Sequence, residues 1–466
     1  MRNVSRRNWL AMAGISGMAM AGRAAFGAAS DAGTTARQIG APPLRAFAWN
    51  VLDFGASGNG KTDNTAAFQR ALDAAHAAEG GIVHVPAGHY VIAGSLHLPP
   101  ETALVGVSCG PISHANYTSP NGKVNLGRLL PPSSANGSML LATGGRGKEH
   151  GTPLITQGPN TALVGLSIYY PDQKWKSTPI EYPWTIRLKG NNCTVENVEL
   201  LNSWRGIKAV QAHRHLIRGV TGQPLRVGIF VDEVYDIGRI EDVHFYPWWQ
   251  HTTEVRGLMY HHGESFVFGR TDWEYVLNTF SIGYYAAYRF MQGKTGSCNG
   301  NFVGIGADSC RHACVIEHAQ EPGLLITNGE FVSDDPLKLG GADDGPMQVW
   351  VKEGTNQGAW NQGPVRFVNC SFWGPSRYIA RLDSNTTLGF GDCTFCSWDA
   401  GHAAILANAG NLLVSGCEFR QDGKQIHLGP KVQQAVICGN LSAGRGEIVN
   451  EAMQGDIQIG LNSGMK

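Results

Sequence analysis

Residues 50–98 read NVLDFGASGNGKTDNTAAFQRALDAAHAAEGGIVHVPAGHYVIAGSLHL. Val51, Leu52 and Phe54 form a short apolar strand, and Gly55 to Gly60 a loop. Asp63 or Asn64 then caps a helix over 65–78, in which Ala67, Phe68, Ala71, Leu72 and Ala75 recur at helical spacing and share one face. Gly80-Gly81 ends it. Ile82 to Val85 is a strand, Pro86-Ala87-Gly88 a turn, and His89 to Ile92 another strand.

The same residues spell a nucleotide motif. Gly55 to Thr62 satisfies glycine, four residues, glycine, lysine, threonine between a strand and a helix. No βαβ series follows it, and Asp53 and Asp63 place carboxylates where a triphosphate would lie. These glycines instead supply positive φ, letting the chain turn into the helix.

From Leu163 onward a pattern repeats: β-branched or aromatic residues, a polar turn, then a short strand ending in a large apolar residue. Asn369-Cys370-Ser371-Phe372, Asp392-Cys393-Thr394-Phe395 and Gly416-Cys417-Glu418-Phe419 superpose, and Cys438 continues the series. Asn197 to Leu200, Asp242 to Phe245 and Gly329 to Phe331 fit the same register. A first strand precedes each, as in Gly228 to Val231, Ser265 to Phe268, Ala313 to Ile316, Gln348 to Val351 and Ala380 to Leu382. Equivalent residues recurring at such a period are what stacked coils require. The register predicts Cys370, Cys393, Cys417 and Cys438 as a buried thiol stack, although ten cysteines in an exported chain would ordinarily mean disulfides. Cys310 and Cys314, beside His312, are the best remaining bridge or ligand candidates.

Together the opening segment and the repeats resemble the pectate-lyase superfamily, the right-handed parallel β-helices related to polygalacturonases, rhamnogalacturonases, epimerases and phage tailspikes. The resemblance implies an all-β, pectate-lyase-like solenoid over 47–466 with an N-terminal capping α-helix, and a sugar polymer bound in the groove over one sheet.

Ahead of that domain, Ser5-Arg6-Arg7 precedes a weak Gly/Ala-rich apolar run, which resembles a twin-arginine export signal over 1–29, followed by a flexible leader over 30–46. The expectation is a periplasmic or secreted protein with no membrane span. Lysine plus arginine equals aspartate plus glutamate at 37 each, which gives no reason to expect nucleic acid, and 61 glycines fit many short strands joined by tight turns. Lys338 to Gly363, rich in Gly, Asp and Asn, reads as a loop insertion holding a solvated Asp343-Asp344 turn.

Glycoside hydrolysis needs two carboxyl groups facing one bond. Successive coils offer Asp232, Glu233 and Asp236, then Glu264, Asp272 and Glu274, then Asp308, beside the densest aromatic cluster. Glu264 and Asp308 are the expected pair, supported by Asp232, Asp272, His262 and Arg289, with at least one carboxyl pKa raised by like charge. Trp204, Trp248, Trp249, Trp273 and Tyr285 are the expected sugar platforms. The Asn-Thr-Asp and Arg-Ile-Lys signatures of polygalacturonases are absent. The alternative is a lyase acting by β-elimination on a uronate polymer, with a base among Arg205, Arg226, Arg270, Arg289, His262 and Tyr285 and calcium or basic residues neutralising the carboxylate. The third reading is a non-catalytic carbohydrate-binding β-helix. Hydrolysis requires no cofactor, and the expected partner is a polysaccharide.

Overall fold

In a computed structural model describing residues 47–114, 137–341, 345–354 and 363–466, the chain winds as a right-handed parallel β-helix. The export signal, the leader and Asp343-Asp344 lie outside the described residues. Strands run from Ala48–Asn50 to Ser463–Met465, and each coil pairs in parallel with the next.

Each coil contributes to three sheets. Sheet A contains Leu216–Arg218, Arg239–Glu241 and Thr271–Leu277, sheet B contains Thr221–Gly222, His244–Phe245 and Phe280–Ile282, and sheet C contains Arg205–Val210, Val227–Asp232 and Glu264–Phe268. The repeat legible in the sequence holds two of these strands, sheet B and sheet C. The third was missed because sheet A strands carry charged outward residues early, as in Glu196, Arg218 and Glu241, and apolar ones later, as in Leu277 and Val368.

The corner between sheets A and B fixes the register. A single left-handed residue turns the chain there: Asn197, Asp242, Asn278, Asn328, Asn369 and Asp392 at φ between 51° and 56°, and Gly416 at 68°. Asn and Asp tolerate this region because a short polar side chain bonds locally, and Asn369 Nδ2 donates to Asn328 Oδ1 at 2.8 Å. The next residue points inward, so Cys370, Cys393 and Cys417 stack, followed by the stacked rings of Phe372, Phe395 and Phe419 at 5.4 and 4.7 Å. Cys438 does not continue this column. It pairs with Ser415 on sheet A, Gly439 takes the corner at φ 69°, and Asn440 takes the inward position of the column, its Oδ1 accepting from Cys417 N at 2.9 Å. All ten cysteines are free thiols, including Cys310 and Cys314, which are buried on sheets B and C.

The capping helix spans Thr65–Ala77 and buries Ala67, Phe68, Ala71, Leu72 and Ala75, the face read from the sequence. Asp63 supplies its N-terminal acceptor, taking Thr65 N at 3.0 Å and Thr65 Oγ1 at 2.6 Å. Val51–Phe54 is a 3-10 turn rather than a strand, because Asn50 accepts from Leu52 N and Gly55 closes the turn at φ 89°. Gly60, Lys61 and Thr62 belong to the strand Asn59–Asp63 instead of a helix N-terminus, which removes the phosphate cradle their spelling implied.

Candidate functional site: the outer face of sheet C

Successive sheet C strands place equivalent outward side chains in rows. One row runs Arg187, Lys208, Phe230, Val267, Arg289, Val315, Trp350 and Arg381, and a second runs Trp184, Arg205, Val227, Glu264 and Ala286. The helix Thr253–His262, capped by Thr252, interrupts the connection from sheet B to sheet C and delivers Glu264.

At the N-terminal end the face is cationic and aromatic. Arg187 and Lys208 are register partners on adjacent strands, and neither forms a salt bridge among the described residues. Arg205 lies 4.9 Å from the Trp184 ring, Trp184 approaches Phe230 at 6.2 Å, and Arg205 Nη1 sits 3.7 Å from Glu149 Oε1. Burial, then Arg187 and Arg205, holds the Lys208 ammonium below the ordinary lysine value, against the pull of Asp232. Sequence reasoning missed Arg187, Lys208 and Trp184, because residues on neighbouring coils meet without any linear motif.

Toward the middle the charges alternate and cancel. Glu264 Oε1 accepts from Arg289 at 2.6 Å, its Oε2 lies 3.9 Å from Arg226, and Arg289 also reaches Glu317 at 3.0 Å, which Lys352 approaches at 3.8 Å. Glu264 and Arg289 are thus members of an ion ladder crossing the sheet. Arg226 also donates to the backbone carbonyl of His262, whose ring is exposed.

The expected pair is placed on two sheets. Glu264 opens a sheet C strand, while Asp308 lies in the sheet B strand Gly306–Cys310, where Ser309 Oγ donates to it at 3.1 Å. Its carboxyl neighbour is Asp334, half-buried, whose pKa is raised by burial and then by Asp308 and Asp335, with Ser309 and Arg256 opposing. Asp232 has a raised pKa as well, through burial first, although backbone N–H groups of Arg270 and Glu233 donate to its carboxylate at 2.7 and 2.9 Å. Those bonds make Asp232 a clamp on the turn at 269–270. Asp272 is paired with Arg270 at 2.9 Å and accepts from Gln320 at 2.7 Å, and Glu274 is buried against His215 at 3.1 Å.

Of the expected platforms, Trp273 is 62% exposed, and Trp248 and Tyr285 are half-buried. Trp204 and Trp249 are 6% and 1% exposed, so neither offers a face to a sugar. Trp204 donates to Glu149 at 3.0 Å, and Trp249 is held inward by its backbone N–H on Gln223 at 2.8 Å. Among the described residues no three acidic, histidine or cysteine side chains converge, and the carboxylates over sheet C are held by Arg and Lys.

Three parallel sheets and a capping helix define a pectate-lyase-like right-handed parallel β-helix. The family described as Rhamnogalacturonase A/epimerase, pectate lyase-like, matches residues 48–127. Mannuronan C5-epimerase AlgE1 of Azotobacter vinelandii is 61% identical over 46 residues, which is 10% of this chain and 3% of that protein. Alginate lyase 7 of the same organism is 59% identical over 46 residues, 10% of this chain and 5% of that protein. Among solved structures, the N-terminal fragment of bacteriophage phi29 gene product 12 aligns with a TM-score of 0.62 and 13% identity, over 89% of this chain and 71% of that one. A tailspike protein mutant of E. coli bacteriophage HK620, in complex with pentasaccharide, aligns at 0.53 with 9% identity, over 89% and 78%. These two structures share the fold.

Proposed function

We propose that the protein is a carbohydrate-active enzyme that abstracts the proton beside the carboxylate of a uronate polymer lying over sheet C. The observation that carries this reading is Lys208, depressed in pKa and set in register with Arg187 beside Arg205, Trp184 and Phe230. Arginines at the uronate carboxylate acidify the adjacent C5–H, and a neutral Lys208 amine accepts that proton. Breaking the C4–O bond then yields a C4=C5 double bond and a new chain end, whereas returning a proton to the opposite face inverts C5. Identity to a mannuronan epimerase and an alginate lyase over 46 residues supports the polymer class.

This places elimination or epimerisation ahead of the hydrolysis expected from the sequence, because Glu264 is neutralised by two arginines. Hydrolysis keeps one specific support: Asp334, with its raised pKa beside Asp308, has the character of a general acid with a partner carboxylate. Incubation with uronate polymers separates the readings. Unsaturated uronate absorbance or C5 inversion, lost in Lys208→Met, supports the first, and new reducing ends without either, lost in Asp334→Asn, supports the second. Export through a twin-arginine signal remains part of the proposal, and Arg6-Arg7 changed to Lys-Lys should leave precursor in the cytoplasm.

A further inference from the structure

Farther along the same face the described residues form a cleft of about 540 Å³, well separated from the Lys208 cluster. It opens where sheet C turns toward sheet A. Trp350 forms one wall, with Lys352 Nζ 4.9 Å from its ring centroid, and the charged lining is Lys352, Arg381 and Lys431 against Glu353 and Asp383, with Asn408 among the neutral polar groups.

Asp383 organises this cleft rather than acting on a ligand. Its carboxylate takes Trp350 Nε1 at 3.0 Å, Arg381 Nε at 2.8 Å and Asn408 Nδ2 at 2.7 Å, which fixes an indole, a guanidinium and an amide from three successive coils. Lys431, from the following coil, is exposed and forms no ion pair among the described residues. An aromatic wall, fixed hydrogen-bonding groups and three cations against the two carboxylates Glu353 and Asp383 match a carboxylated sugar: a ring face for stacking, hydroxyls for the amide and an anion for the cation in excess.

Trp350 and Arg381 occupy the row of Lys208. Five strand spacings separate Lys208 from Trp350, about 24 Å at about 4.8 Å each. Between them lies the neutralised ladder of Glu264, Arg289 and Glu317. From this arrangement we infer that the cleft at Trp350 and Lys431 is a distal anchoring site for a uronate residue of the chain whose other part lies at Lys208. The inference rests on the uronate reading of the groove. Two sites on one rigid sheet make the second contact intramolecular, so affinity rises in a step once an oligomer spans both.

The test is calorimetric titration of a series of uronate oligomers, from dimer upward, into the full chain in a Lys208→Met background that prevents turnover. The expected result is a gain in affinity of about tenfold or more once the oligomer is long enough to span about 24 Å. Lys431→Glu, on an exposed side chain, should abolish that gain, Lys431→Arg should keep it, and thermal unfolding checks that both variants are folded. A gain that persists in Lys431→Glu, or wild-type binding with no dependence on length, overturns the distal site. If the step is present while the unmodified enzyme turns over none of these oligomers, the catalytic reading fails and the anchoring site stands.

Discussion

Lys208 shares its row on sheet C with Arg187 on one side and Phe230 on the other, and its amine has a pKa depressed by burial and arginine neighbours. The sign matters for rate: a base must be deprotonated, so the acid limb of kcat/KM should lie below the ordinary lysine value of about 10.4. Lys208→Met should lower turnover by about a hundredfold or more with unfolding unchanged. A pH profile unaltered in Lys208→Arg would contradict the assignment. The cysteines give an independent check at the same scale. Cys109 is exposed, whereas burial pushes the Cys310 thiol up to about 11 and those of Cys298 and Cys314 well above the ordinary thiol value. Native protein should therefore label fastest at Cys109 with a thiol reagent, and Cys298, Cys310 and Cys314 should react only after unfolding. Single residues were the least legible feature of the sequence. Trp249 lies in a Pro-Trp-Trp turn that looks solvated, yet it folds inward, and Lys208 gains its character from burial, then from Arg187 on the adjacent strand and Arg205 on its own.

At the level of elements, the capping helix closes the apolar interior at the first coil, with Phe68 buried and its ring 5.3 Å from Tyr90. Phe68→Ala should cost about 3–5 kcal/mol in urea unfolding, the range for a large aromatic removed from a packed core. A much smaller loss would mean the helix contributes little to end closure. The corner residues can be tested by conformation alone: Asp392, at φ 54°, should tolerate glycine, while a β-branched residue there should destabilise by at least about 1–2 kcal/mol. These elements were readable because they obey local rules. A helix with one apolar face and a left-handed polar corner followed by an inward residue each leave a short, repeated signature. Cys438 shows the limit of that signature: the repeat of a cysteine suggested a fourth member, but backbone register puts Asn440 at the inward position after the Gly439 corner.

At the scale of the whole molecule, coils two apart are tied by a buried ion pair that no local pattern announces. His215 and Glu274 are both fully buried, Nε2 to Oε1 at 3.1 Å, while His215 Nδ1 lies 2.9 Å from Ala212 O and Thr271 Oγ1 donates to Glu274 at 2.6 Å. Burial lowers the His215 pKa, but Glu274 and the two hydrogen bonds outweigh it, and the net shift is upward despite Arg239. A raised folded-state pKa means the pair's contribution is complete below about 6.5, the unfolded value, and fades as pH rises through the folded value. The difference in Tm between wild type and His215→Gln should therefore be largest at acid pH and narrow on alkalinisation, within a total of about 3–5 kcal/mol. A difference that grows with pH would contradict the charged pair.

The central claim, that the groove over sheet C removes the proton beside a uronate carboxylate, is tested most directly by proton NMR of a uronate polymer incubated with the protein in deuterium oxide. The C5 proton signal should disappear, through either elimination or exchange, and Lys208→Met should preserve it. Shortening of the polymer with every C5 proton signal retained would contradict it and return the chemistry to hydrolysis at Asp308 and Asp334.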